Sequence, residues 1–332
     1  MKIGTMCSGI GGVDVGAEMA GIKSAWRIEI DPRRAAIADR NLRGKTIVAD
    51  ITKIFRYFKR LSKVDIFHLS PPCPSFSSAK AKKDRGETKK DLAIAHAAAR
   101  AIKDVDAPIV TFENVYGYRK SQSWQIIESM LVEYGYFYTV DHVNAADYGV
   151  PQTRMRMIVR AMKGSLIPPL PTPEPWIGWY ESIEDLIPDL PESQFANWQM
   201  NILPDEIKTI LMGNDRKGDN RDVINHRCAS KPSITVTEQS GPKIRAFIMD
   251  GRDARNTRPF RMGSDPSFTI IESSHKGMNR AWIESGKVVR MTPRCLARFQ
   301  SFPDSFQIDG TLGIGNAVPP LMYKKIIEGL IQ

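Results

Sequence analysis

The stretch KIGTMCSGIGGVDVGAEMAG, residues 2–21, decides the fold. KIGTMCS has the make-up of a short strand, SGIGG (8–12) breaks it with three glycines, and apolar residues then recur at helical spacing. Strand, glycine turn and helix in that order open an α/β sheet, in which ligands bind beyond the carboxyl ends of the strands. Glycines at such a turn let a ligand approach the backbone, and the helix N-terminus attracts polar or negative groups. A dinucleotide fingerprint would need glycine at position 14, where the chain has Asp14. The turn therefore fits a smaller nucleoside ligand better than a pyrophosphate.

Outward from this unit the alternation continues. SAWRIEI, KTIVAD, VDIFHLS, PIVTFENV and YFYTVDHV read as strands, with RRAAIADRNL, ITKIFRYFKRL, DLAIAHAAARAI and SWQIIESMLVEYG as helices between them. Such alternation predicts a parallel sheet with helices on both faces. The character changes after Met162. IPPLPTPEP (167–175) is proline-rich, the segment from Glu174 to Glu206 is acidic, and the chain beyond Ile207 is arginine-rich. RMTPRCLARFQSF (290–302) and LMYKKIIEGLIQ return to helical patterning. The chain thus divides into a first domain over 1–162, an inserted domain over 163–286, and a return segment over 287–332 that completes the first.

With 332 residues, 42% hydrophobic and 25% charged, the composition is that of a globular protein with a sizeable core. The formal net charge of +10 favours polyanionic partners, nucleic acid first. The insert holds 15 basic and 17 acidic residues, so the rest of the chain, with 32 against 20, carries the whole excess. Cys7, Cys73, Cys228 and Cys295 stand far apart with no CxxC pair, which reads as reduced thiols rather than a disulfide framework or metal site. Neither a signal peptide nor a membrane-spanning run is expected, and the expected location is the cytoplasm, in association with the nucleoid.

SPPCPSFSS (70–78) sets Cys73 among prolines, which forbid a helix interior and a central strand and leave a stiff loop. Loops on a rigid scaffold are where reactive side chains concentrate. Glu29 ends the second strand, where it can accept from ribose hydroxyls; Asp50 ends the third, where it can accept from an adenine amino group. FENV (112–115) ends the fifth with Glu113. Singly, such an acid reads equally as a helix cap or a solvated strand end. With Ser8 and Cys73, however, all of these ends converge on one crevice. QTRMRM (152–157) adds Arg154 and Arg156, spaced to lie on one face of a strand and clamp a phosphate or carbonyl.

Taken in order, SGIGG, PPCP, ENV, QTRMR, PRCLARFQSFPDSF and GNAVPP (315–320) resemble the motif series of the cytosine-5 DNA methyltransferases along the whole chain. The resemblance implies a Rossmann-like, doubly wound, mostly parallel α/β sheet with a smaller inserted β-rich target-recognition domain. It implies a monomer acting on double-stranded DNA, a restriction endonuclease as a partner to look for, and neither membrane nor metal. S-adenosylmethionine is the implied cofactor and S-adenosylhomocysteine the product, held by Gly9, Ile10, Gly12, Glu29, Asp50, Ile51, Pro72, Leu92 and Asn316. Cys73 is the implied nucleophile toward carbon 6 of a flipped-out cytosine. Glu113 would hold or share a proton with ring nitrogen 3, Arg156 would contact the ring carbonyl, and Arg154 a phosphate or the acid. The chain departs from the family pattern at Cys7, where an aromatic is usual, at Pro74, often glutamine or asparagine, and at Cys295, commonly acidic.

The chemistry accounts for these residue types. Carbon 5 of cytosine is a poor nucleophile toward a methyl sulfonium, and thiolate addition at carbon 6 moves electron density onto it. Nearby positive charge lowers a thiol's pKa. Lys80, Lys82, Lys83 and Arg85 follow Cys73 closely and serve either the thiolate or, with Ser77, the DNA phosphates. Competing readings are a transfer-RNA cytosine-5 methyltransferase, a DNA-binding homologue with vestigial catalysis, and a nicotinamide-dependent oxidoreductase, the last disfavoured by the missing third glycine.

A repeat lies inside the insert. RCASKPSITVTEQS (227–240) matches RMGSDPSFTIIESS (261–274) at 7 of 14 positions, and AFIMDG (246–251) then aligns with AWIESG (281–286). Two similar β-hairpins are expected. RDARNTRPFR (252–261) joins them, and its Arg252, Arg255 and Arg258 are the expected readers of base edges.

Overall fold

The computed structural model describes residues 1–72, 76, 86–195, 200, 246–249, 260–270, 280–283 and 285–331. Strands β1 (Lys2–Met6), β2 (Lys23–Glu29), β3 (Thr46–Val48), β4 (Ile66–Leu69) and β5 (Ile109–Asn114) run parallel. Two more, β6 (Tyr136–Asn144) and β7 (Met155–Lys163), are antiparallel to their neighbours, in the order β3-β2-β1-β4-β5-β7-β6. The change of direction has a local cause. Only residues 145–154 separate β6 from β7, and a parallel crossover needs a dozen or more. The strand order reverses between β1 and β4, which marks the topological switch point where ligands enter such sheets.

Helices cover both faces. On one, α1 (Gly12–Met19) and the C-terminal α6 (Pro320–Ile331) bury Ile3, Val13, Ile66, Met322, Ile326 and Leu330. On the other lie α3 (Lys89–Val105) and α4 (Gln122–Glu133). Helix α3 starts at Thr88, whose hydroxyl and Asp91 form a reciprocal cap, an arrangement whose loss costs about 1 kcal/mol. Its Ile94, Ala95, Ala98, Ala101, Ile102 and Val105 recur at three- and four-residue spacing and are buried. The expected helix ITKIFRYFKRL is instead a 3-10 helix over Phe55–Arg60, preceding β4. Phe58 is its only buried side chain, so no apolar stripe holds an α-helical turn there. Helix α2 (Pro32–Asn41) is capped by Asp31, and α5 (Pro293–Phe299) by Thr292. None of the described helices is long and apolar enough to cross a membrane.

A second sheet has the order β11-β10-β8-β9, all antiparallel, formed by β8 (Ala246–Met249), β9 (Phe260–Met262), β10 (Arg280–Ile283) and β11 (Val288–Arg290). Strand β11 carries this sheet past residue 286, the expected end of the insert. The aligned strands of the repeat, β8 and β10, pair with each other. Ala246 faces Ile283, Phe247 faces Trp282, and Ile248 faces Ala281. Exchanging the two copies maps the first of these pairs onto the third and the middle pair onto itself, which is a pseudo-two-fold axis. Phe247 and Trp282 stack at its centre, 5.8 Å between centroids, and Phe195 stacks on Phe247 at 5.7 Å.

Among the described residues of the second copy, 266–270 form no hairpin with β10. Among the described residues β10 pairs only with β8 and β11. Residues 266–270 lie instead along the first domain: Ser267 N donates to Pro151 O at 2.9 Å, and Thr153 N donates to Ser267 O at 3.0 Å. The alternation of Phe268 and Ile270 buries these side chains in the junction with α5 rather than in a hairpin. The corresponding stretch of the first copy, 227–240, lies outside the described residues.

Candidate active site

The carboxyl ends of β1 to β5 converge, and their side chains are organised before any ligand arrives. Glu29 Oε2 accepts the Gly9 N–H at 2.7 Å, and Oε1 accepts that of Asp31 at 3.0 Å. The acid therefore fixes the glycine turn and retains lone pairs for hydroxyl donors. Asp50 Oδ1 accepts from Thr52 N and Oγ1 at 3.0 and 2.7 Å, bonds that hold its carboxyl below the usual range. Beside these acids Ile30 and Val48 are exposed by 56% and 51%, an apolar surface suited to a planar base. Ser8 Oγ is buried with no hydrogen-bond partner, an orphan that a ligand would satisfy. An anionic clamp, an apolar ledge and an unmet hydroxyl fit a nucleoside cofactor such as S-adenosylmethionine.

Other expected cofactor residues divide into contact and support. Gly9 sits in the turn with φ +58°, and a Cβ there would meet nothing within 4 Å. At Gly12 a Cβ would stand 2.3 Å from Val318 O, so this glycine admits the GNAVPP loop. Ile10 and Ile51 are core side chains. Pro72 and Asn316 are exposed and Leu92 is half-buried. Cys7 has φ 58°, rare for a residue with a side chain. Burial, then Glu29 and Asp50, push its thiol far above the usual range, so an uncharged group replaces the usual aromatic. Cys295 is fully buried in α5 with its thiol also raised by burial, a core residue rather than a reactive one.

Cys73, Pro74, Ser77, Lys80, Lys82 and Lys83 lie outside the described residues, as do Arg252, Arg255 and Arg258. The flanks of the cysteine loop are described. Asn114 Nδ2 donates to Pro71 O at 3.0 Å, and the Phe76 ring meets Tyr118 edge-on at 4.8 Å. Beside Asn114, Glu113 is buried and paired with Arg156, Nε to Oε1 2.9 Å. Arg156 also donates to Met155 O at 2.7 Å.

Arg154 does not join this pair. Strand β7 begins at Met155, so strand alternation does not extend back to residue 154. Its buried guanidinium donates through one nitrogen to Ile270 O at 3.1 Å and Gly315 O at 3.0 Å, linking the second sheet's neighbourhood to the GNAVPP loop. The expected clamp of two arginines on one face is thus one arginine on the acid and one pinning backbone. Sequence reading missed two residues within its own motifs. Gln152 accepts Ile270 N at 2.8 Å and donates to Phe299 O at 3.0 Å, and Asn114 holds Pro71. A buried glutamine and a strand-end asparagine beside the charged residues were the available signals.

The sequence model of the family described as C-5 cytosine-specific DNA methylase matches residues 1–332. The Type II methyltransferase M.FnuDI of Fusobacterium nucleatum is 27% identical over 99% of this chain and 95% of its own. M.DdeI of Desulfomicrobium norvegicum, also a Type II methyltransferase, is 27% identical over 99% and 88%. Among solved structures, the Entamoeba histolytica methyltransferase EhMeth superposes with TM-score 0.64 at 15% identity, covering 99% of this chain and 97% of that one. S. pombe Dnmt2 superposes with TM-score 0.59 at 15% identity, covering 100% and 98%. At that identity the structural likeness speaks for the fold alone.

Proposed function

The chain belongs to the C-5 cytosine-specific DNA methylase family, and from that premise we propose that it methylates a cytosine flipped out of duplex DNA, through a covalent Cys73 adduct. The observation that carries this reading is the Glu113–Arg156 pair, adjoining the asparagine that holds the approach to Cys73. S-adenosylmethionine, held by the Gly9 turn, Glu29, Asp50 and the Asn316 loop, supplies an electrophilic methyl group. The target atom is inaccessible inside a helix, which is why the base must leave the stack.

The chain's own groups then divide the work. The Cys73 thiolate adds to carbon 6, raising the electron density on carbon 5. Glu113 holds a proton at ring nitrogen 3 and accepts from the amino group, which stabilises the adduct and selects cytosine over thymine. Arg156, already hydrogen-bonded to Glu113, orients that carboxylate and reaches the ring carbonyl. Loss of the carbon 5 proton and elimination of Cys73 complete the cycle. Ser77, Lys80, Lys82 and Lys83 contact phosphates, and Arg252, Arg255 and Arg258 read base edges. Relatives named Type II methyltransferases support a DNA substrate and make a restriction endonuclease the partner to look for.

The test is transfer of a labelled methyl group from S-adenosylmethionine to duplex DNA or transfer RNA. Label in DNA, at carbon 5 of cytosine, supports the reading. Label confined to transfer RNA would replace the substrate and keep the chemistry.

A further inference from the structure

Behind the cysteine loop, four polar groups cross the sheet in one line. The Tyr323 hydroxyl of α6 lies 3.1 Å from Thr111 Oγ1 on β5, which lies 2.8 Å from His68 Nδ1 on β4. His68 Nε2 lies 2.6 Å from Ser70 Oγ, at the end of β4. Tyr323, Thr111 and His68 are at most 3% exposed, and burial pushes the imidazole down to about 3, so it is neutral. A neutral imidazole has one donor and one acceptor nitrogen. The chain of protons therefore runs in one direction or the other.

The buried end decides which. Tyr323 has no described side-chain or backbone partner for its hydroxyl besides Thr111. If protons ran from Ser70 inward, the tyrosine proton would be left buried without an acceptor, the costly arrangement. Running outward, Tyr323 donates to Thr111, Thr111 to Nδ1, and Nε2–H to Ser70. Every buried donor is then satisfied, and the proton of Ser70, which has no acceptor among the described residues, points away from His68.

Where it points follows from the strand order. The adenine-side acid Asp50 follows β3, the ribose-side acid Glu29 ends β2, and Glu113, which meets the target base, ends β5. Ser70 follows β4, between ribose and base, tied to β1 by its N–H on Met6 O at 3.2 Å. The amino-acid end of S-adenosylmethionine must occupy that interval, and its carboxylate is the strong acceptor there. We propose that Ser70, with its proton aligned by His68, Thr111 and Tyr323, is a hydrogen-bond donor to the cofactor carboxylate. The assignment rests on the S-adenosylmethionine reading above. The other three are positioning residues.

Calorimetry with two nucleosides tests it. S-adenosylhomocysteine carries the carboxylate, and 5′-methylthioadenosine lacks the amino-acid end. Ser70→Ala is expected to weaken the first roughly tenfold, the scale of a hydrogen bond to a charge, and to leave the second unchanged. His68→Phe should give the same selective loss, without further loss in the double variant. In the wild type, nitrogen-15 NMR should find His68 protonated at Nε2 and bare at Nδ1. Equal loss for both nucleosides, no loss for either, or a proton on Nδ1 would overturn the assignment. A wild type that binds neither nucleoside would instead remove the cofactor reading itself.

Discussion

Arg156 Nε lies 2.9 Å from Glu113 Oε1, with the two side chains only 13% and 9% exposed. Neither charge is well solvated, so each depends on the other, and deleting one strands its partner. The acid proposed to meet the base is thereby held in one orientation.

Glu113→Gln keeps the shape and cannot supply the proton. Single-turnover methyl transfer is expected to slow by roughly 10²–10⁴, the usual range for a general acid or base, with the affinity for S-adenosylhomocysteine unchanged. Arg156→Lys keeps the charge and loses the planar fork, so its rate should fall between those of the wild type and Arg156→Ala. Loss of cofactor affinity at normal turnover would move Glu113 out of the reaction.

Cys73→Ala should abolish methyl transfer and leave duplex binding largely intact, since the proposed role of the thiol is bond making rather than positioning. The wild type should form a stable adduct with duplex carrying 5-fluorocytosine, seen by intact mass, because fluorine cannot leave as a proton does. Residual methylation by Cys73→Ala would end the covalent mechanism.

Arg154 is predicted to act through structure. Arg154→Ala leaves the carbonyls of Ile270 and Gly315 without their charged donor. Urea unfolding should show a loss of about 3 kcal/mol. Cofactor affinity should fall with it, because Gly315 precedes Asn316. Full stability with a slower chemical step would restore the phosphate or acid contact expected from the sequence.

Asp14 sets a pH dependence of stability. It is fully buried, bonded to Thr5 and Ser24, with Arg27 at 3.9 Å. Burial above all, opposed by Arg27, raises its carboxyl from 3.8 to about 6. Between those values the unfolded chain has released the proton that the folded chain still holds, so stability falls as pH rises through this window. At about 1.4 kcal/mol per pH unit the loss approaches about 3 kcal/mol. Relative to Asp14→Asn, the wild type should therefore lose stability between pH 4 and 6 in chemical denaturation, then hold level. A constant difference across that range would mean that Asp14 does not titrate there.

Much of this was legible before the structure, for identifiable reasons. Glycines 9, 11 and 12 and the strand-end acids announce a parallel sheet because both are local demands of backbone and position. The contacts of Arg154 with Ile270 O and Gly315 O were not legible, because its spacing from Arg156 suggests a strand that in fact begins one residue later. The helix expected over 51–61 failed because aromatic residues without a buried stripe do not fix an α-turn. His68 gave no signal at all, and Asn114 and Gln152 gave only their places beside charged residues. Their partners lie across neighbouring strands or more than a hundred residues away, and no local pattern encodes such contacts.

The pseudo-two-fold of the second sheet couples two halves of one gene. Elsewhere the copies have drifted apart, as Lys231 against Asp265 shows at aligned positions. On the axis each copy's residue packs on its own counterpart, Phe247 on Trp282, so the space open to one is set by the other. Substitutions there cannot be accepted independently: enlarging or trimming one ring changes the fitness of every choice at the second. The centre of the repeat is therefore where its two halves evolve as a pair.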